Sequence, residues 1–257
     1  MLVDTMTYKE MAYEYARMYK DHLMMDTFNR MNNQNGPLYK HYRRYMIKHR
    51  QQKNVCFKPI IEDLDANSKF VSIPMTPDYK CFCKHGIGAA AFLVYRHHSG
   101  LLAFELLGFN YMSLIIYTHH FFDRYVERFL HGEETSRIDT ICKFIKNNRN
   151  LTLSPYPFKE YPYNMLGLVN EVVLFGESID HNITLLKTCV TKDMLFDKQL
   201  IIEAGLDKAL KKCELQRQRL KDAAMKNDQK ELNRISNHSM SVVQWKKRMM
   251  HPDDDDE

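Results

Sequence analysis

Apolar positions change their period several times along the chain, and the changes divide it. Between residues 7 and 31, Tyr8, Met11, Ala12, Tyr15, Met18 and Tyr19 recur at three and four, which predicts a helix. The run of Asn, Gly and Pro at residues 32–37 breaks it. A second, basic helix is expected from about Leu38 to Gln51, followed by a polar connector holding Pro59, Pro74 and Pro77. From Tyr79 the pattern becomes strand-like. Tyr79–His85, Ala89–His97, Leu101–Leu107 and Met112–Tyr117, separated by Gly-bearing turns, predict an antiparallel meander. Thr118 can cap a helix over 119–131 that ends at Gly132, and Ser136 another that runs to about Asn147.

Asn148 to Asn164 is a polar, proline-bearing loop. Leu168–Phe175 and Ile183–Thr191 are again strand-like, turned by residues 176–180. From Lys192 to roughly Asn237 the chain has helical character with a break at Gly205. The pattern implies an α+β fold. A helix is inserted between a four-strand antiparallel meander and a later hairpin, and helices from both termini flank the sheet. The expected divisions are an N-terminal helical arm at 1–52, a core at 53–204, a basic helical arm at 205–250, and an acidic, disordered tail at 251–257.

Composition narrows the class. Of 257 residues, 44% are hydrophobic, enough for a substantial core, and no apolar run is long enough to span a bilayer. The first residues lack a basic start followed by an apolar stretch, so no secretory leader is expected. Cysteines at 56, 81, 83, 142, 189 and 213 fit no disulfide framework; reduced thiols and a cytoplasmic location are expected. Cys81-Phe-Cys83 is expected to alternate along a strand, which is not a metal knuckle.

Charge is unevenly placed. Thirty-seven Lys and Arg against 32 Asp and Glu give +5, but residues 253–257 are all acidic, so the remainder carries 37 − 27 = +10. Residues 208–248 hold twelve Lys or Arg against four acids. Such a surface favours polyanions, nucleic acid first among them.

The densest chemistry lies just after Met112–Tyr117. His120, Arg124, Glu127 and Arg128 fall at i, i+4, i+7 and i+8, one helix face, with Phe121, Phe122, Tyr125, Val126 and Phe129 opposite. A proton carrier and two guanidinium groups on one surface suit chemistry at a phosphate. Ordinary pairs such as Glu127–Arg124 or Asp123–Arg128 would also account for the charges. Lys187 and Thr188 lie within the last strand, where simple alternation sends them to opposite faces. His119 with His120, and His97 with His98, invite a metal reading, although no His-Glu-x-x-His spacing is present. No P-loop, dinucleotide-binding glycine motif or Gly-x-Ser-x-Gly elbow occurs.

The order of a strand, then His120-x-x-x-Arg124-x-x-Glu127-Arg128 on a helix, then a hairpin at Gly176 and Thr188 in the closing strand, resembles small bacterial toxin-type domains. Those are grouped with the barnase, EndoU, colicin and RelE-like ribonucleases. The resemblance covers roughly residues 112–191. It implies metal-independent RNA cleavage with no cofactor, in which the ribose 2′-OH attacks the adjacent phosphorus. It casts His120 as acid or base, Arg124, Arg128 and Thr188 as further catalytic groups, and Lys187, Glu127 and His119 as substrate contacts. It also implies RNA as a partner, and a protein partner that neutralises toxicity. Two other classes stay open: a non-catalytic interaction or scaffolding protein with a basic surface, and a metal-dependent hydrolase using the paired histidines.

Overall fold

Alternation along the strands sorts the apolar residues onto two faces of one sheet. In the computed structural model the described residues are 2–19, 24–107, 113–133, 135–148, 151–155, 163–180, 182–196, 199–200, 203–205, 207–208, 211, 215, 219 and 222. The chain divides into two compact units, Met1–Glu203 and Ala204–Glu257. In the second unit, residues 204, 205, 207, 208, 211, 215, 219 and 222 are helical, and Lys211 pairs with Asp207 one turn earlier. Gly205 therefore lies within helix where the sequence suggests a break.

The first unit is α+β. It begins with α1 (Tyr8–Met18), α2 (Met24–Asn32) and α3 (Pro37–Lys48), followed by β1 (Val55–Cys56), β2 (Ile60–Asp63), β3 (Ser68–Thr76) and α4 (Tyr79–His85). Next come β4 (Gly88–His97), β5 (Gly100–Leu107), β6 (Ser113–Tyr117), α5 (His119–Phe129) and α6 (Arg137–Asn147). The last strands are β7 (Thr152–Pro155), β8 (Met165–Val169), β9 (Val172–Asp180) and β10 (Ile183–Val190). They form one sheet in the order β1-β3-β4-β5-β6-β10-β9-β8-β7, with β2 on β3. Among the described strands every pairing is antiparallel except β6 with β10, which run parallel at the centre. That pair joins an N-terminal meander to a C-terminal one. A parallel pair needs a long crossover, and α5 and α6 are part of it.

On one face, Phe92, Val94, Ile115, Tyr117, Leu174, Leu186 and Cys189 pack beneath Phe121, Phe122 and Tyr125 of α5 and Phe144 of α6. On the other, Leu93, Tyr95, Leu102, Phe104, Ile116 and Leu185 pack beneath Met11, Ala12 and Tyr15 of α1. A smaller cluster, Met31, Tyr42, Met46, Val55, Phe82 and Ile87, seats α2, α3 and α4.

Four local expectations are corrected, the briefest being that Thr152–Pro155, expected in a polar loop, is strand β7 paired with β8. Tyr79–His85 is a helix, because the Asp78 carboxylate accepts the Cys81 N–H at 2.7 Å and Phe82 turns into the core. Cys81 and Cys83 therefore do not alternate along a strand. The fourth strand of the meander is instead β3, from the stretch that looked like a connector. Its buried Ser68 and Ser72 and its Pro74 disguise it, yet it pairs with β4 over eight residues. Last, Gly176 is not at a hairpin turn. β8 and β9 turn at Asn170, whose φ is +51°, and Gly176 sits within β9, opposite a bulge at Lys187 of β10. A Cβ at Gly176 would lie 2.2 Å from the Leu185 carbonyl oxygen, so only glycine allows the two backbones this approach.

Candidate functional site

Thr118 sets the start of α5. Its extended backbone lets Oγ1 accept the Phe121 N–H at 3.3 Å, and the same hydroxyl donates to the Lys187 carbonyl at 3.4 Å. One residue thus caps the helix and ties it to β10. Burial of Phe121, Phe122 and Tyr125 against Phe144 and Tyr117 fixes the rotation of α5, with ring centroids 5.0–5.4 Å apart for Phe144 with Tyr125, Phe121 and Tyr117. His120 is left exposed at the first turn.

A cavity of about 520 Å³ opens at that turn. One wall is the N-terminus of α1 (Thr7, Tyr8, Lys9), another the N-terminus of α5 (Thr118, His119, His120). Lys187 of β10 and Glu177 of β9 line it as well, joined by an ion pair of 2.6 Å. The bulge falls at Lys187, which lines the cavity together with Leu185. That lysine is the extra residue of β10, and after it Cys189 joins Leu186 in the core under α5, so the simple alternation of this strand fails at Lys187. Both helices begin with well-formed caps. Thr7 and Glu10 make a reciprocal capping box on α1, as Thr118 caps α5. Two positive helix ends therefore meet one cavity, an arrangement that favours an anion.

The histidines differ in setting. The His119 ring rests on the backbone of the β4–β5 turn; a Cβ on Gly100 would meet its Cγ at 2.6 Å. His119 Nδ1 is buried and has no hydrogen-bond partner among the described residues. Lys9 pairs with Asp180 at 2.7 Å, a contact that raises its pKa, and Tyr13 donates to the same carboxylate at 2.9 Å. These exposed pairs are weak enough for a phosphate to displace.

Of the residues singled out by the sequence, the cavity gathers His119, His120 and Lys187. Arg124, Glu127, Arg128 and Thr188 are not among the residues that line it. Arg124 pairs with Glu127 on the helix surface, Asp123 pairs with Arg137 of α6, and the Arg128 guanidinium donates to the Cys189 carbonyl, binding the last turn of α5 to β10. Thr188 is half-buried opposite Phe175 of β9. Lys9, Tyr8 and Glu177 were not anticipated. The Thr7-x-x-Glu10 box announces a helix start, but nothing local shows that this start faces the other.

Two features lie outside the cavity. The α3 region is strongly basic: residues 27–61 contain eight Lys or Arg and no acid, and Lys40, Arg43, Arg44, Lys48, Arg50 and Lys53 are all exposed. Arg50 also lies 5.1 Å from the Tyr79 ring centroid, a cation–π contact. Under α5, Glu105 of β5 accepts the Tyr117 hydroxyl at 2.8 Å, and its enclosure by protein pushes its carboxyl up to about 7.

No helix among the described residues is long and apolar enough to cross a membrane. No family model matches the chain, and comparison with curated proteins and with solved structures found no match.

Proposed function

We propose that the protein binds single-stranded RNA, and that the cavity between α1 and α5 receives one of its phosphates beside His120. The observation that carries this reading is the meeting of two capped helix N-termini with His119, His120, Lys9 and Lys187 on one cavity. The exposed cations of α3, in a stretch without acids, supply the long-range attraction that a polyanion needs. The cleavage chemistry suggested by the resemblance to RelE-like ribonucleases is retained in a reduced form. His120 is the proton carrier and Lys187, freed from its pair with Glu177, the cation at the phosphate, because Lys187 lines the cavity and Arg124 and Arg128 do not. His119 is the second proton carrier available at the same cavity.

The test is binding of a short single-stranded RNA to the full chain, measured by fluorescence anisotropy at rising salt. Affinity is expected to fall steeply with salt. Replacing Arg43 and Arg44 together by alanine should weaken binding across sequences and flatten the log–log slope by about 0.7 per lost phosphate contact. Lys187→Ala should weaken binding further and independently, because it acts at the cavity. Absence of binding at low salt, or a slope unmoved by the double variant, contradicts the proposal.

A further inference from the structure

We propose that Asp4, His97 and His98 form a site for a divalent transition-metal ion of the zinc type. Each offers one ligand atom, and the three atoms lie within 4.8 Å of one another. Zinc held at about 2.0–2.2 Å by nitrogen and carboxylate oxygen draws such atoms somewhat closer, a small rotation for side chains as exposed as His98 and Asp4.

Two details make this more than a chance meeting. Consecutive strand residues normally point to opposite faces. Here β4 ends at His97 and His98 lies in the turn, so the two rings sit on the same side with centroids 3.8 Å apart. The donors are also oriented from behind. The buried Tyr95 donates its hydroxyl to Asp4 Oδ1 at 2.7 Å, leaving Oδ2, which lies 3.9 Å from His98 Nδ1. His97 Nδ1 accepts the Ser99 N–H at 3.3 Å and lies 2.6 Å from Ser99 Oγ. A metal on Nε2 requires the tautomer with the proton on Nδ1, which then donates to Oγ while the Ser99 N–H gives up that nitrogen. A hydrogen-bonded carboxylate and an imidazole anchored through its second nitrogen are the supports that metal ligands need. Two imidazoles and a carboxylate, without thiolate, suit zinc or a neighbouring divalent ion over magnesium.

The placement gives the ion a consequence. Asp4 belongs to the segment leading into α1, and His97 pairs with Gly100 across the β4–β5 turn, the residue on which His119 rests. The Tyr8 ring, which lines the cavity, lies 6.2 Å from the His97 ring. A bound ion would therefore fasten the α1 wall of the cavity to the turn that supports the α5 wall. Three protein ligands leave a fourth position for water.

The test uses the full chain, stripped with chelator and titrated with Zn²⁺ alone, then Mg²⁺ alone, by calorimetry and by thermal melting. One tight Zn²⁺ equivalent is expected, with a rise in Tm that Mg²⁺ does not give. Asp4→Asn and His98→Ala should each weaken that equivalent at least tenfold and abolish the rise. Identical titrations in the wild type and both variants, or no tight Zn²⁺ in the wild type, overturn the site. Co²⁺ on the unaltered chain gives a readout that needs no variant. Visible d–d bands without thiolate charge transfer support the site, and thiolate bands move the metal to the cysteines and overturn it.

Discussion

Replacing His120 by alanine is expected to slow cleavage of single-stranded RNA by the pure full-length protein by about 10²–10⁴-fold, the range of a single general acid or base. In the proposed reaction the 2′-oxygen forms a bond to phosphorus while the bond to the 5′-oxygen breaks, leaving a cyclic phosphate and a free 5′-hydroxyl. One proton leaves the 2′-OH and one must reach the departing oxygen. His120 and His119 stand at the same cavity and can divide these tasks, with Lys187 meeting the charge that builds on the phosphoryl oxygens. His120 is exposed, so its loss should leave folding stability within about 0.5 kcal/mol. RNA affinity, which the proposal assigns to α3 and the cavity cations, should change little. A gel assay with paired melting curves checks this. Equal cleavage rates for the wild type and His120→Ala would remove the residue from the chemistry.

The second large effect is on stability and concerns Glu105. Its carboxyl is pushed from the ordinary 4.5 up to about 7 by burial, against a partial opposing effect of the Tyr117 hydroxyl, which donates to it. A carboxyl whose folded pKa is raised binds its proton more tightly in the folded state. The folded state is therefore favoured most below pH 4.5, and that contribution is lost as pH rises through 7. The full loss corresponds to roughly 3 kcal/mol at 1.36 kcal/mol per unit. His97 has the opposite sign in a neighbouring window, since burial and His98 lower its pKa. The difference between wild type and Glu105→Gln isolates the carboxyl. Glutamine keeps an acceptor for Tyr117 and carries no charge, so the two proteins should be nearly equally stable near pH 4.5. The variant should be the more stable by roughly 3 kcal/mol at pH 8. Urea unfolding at both pH values measures it, and parallel pH profiles would show that Glu105 is not the group responsible.

How much of this was legible in the sequence depended on range. The α5 helix and its start were visible, because Thr118 is a local signal and the Phe121, Phe122, Tyr125 stripe has helical period, while its end at Phe129 falls two residues before the expected one. The α+β class followed from the change of period at the strands. β3 was hidden because its buried Ser68, Ser72 and Pro74 suggest a polar loop, and only pairing with β4 makes a strand of them. Gly176 looked like a turn because glycine more often serves there. Its actual role, making room for the Leu185 carbonyl opposite a bulge, is a contact between strands that no window of one strand contains. The same bulge turned Cys189 into the core under α5, away from the side of Leu185 and Lys187 where strict alternation put it. The cavity was half legible. His119, His120 and Lys187 stood out by type, whereas Lys9 and Glu177 reach it only because the N-terminus of α1 lines the same cavity as that of α5 and β9 pairs with β10. Arg128 was assigned by its place on a helix face, yet that face meets a strand end whose carbonyl takes the guanidinium.

The most direct measurement is a nuclear magnetic resonance titration of the full chain with a short single-stranded RNA, following the imidazole resonances of His119 and His120. A phosphate seated at the α5 N-terminus should shift both in step with RNA saturation, and Lys187→Ala should shrink those shifts. Saturable RNA binding that leaves both imidazoles unmoved would contradict the account, by placing the nucleic acid elsewhere on the basic surface.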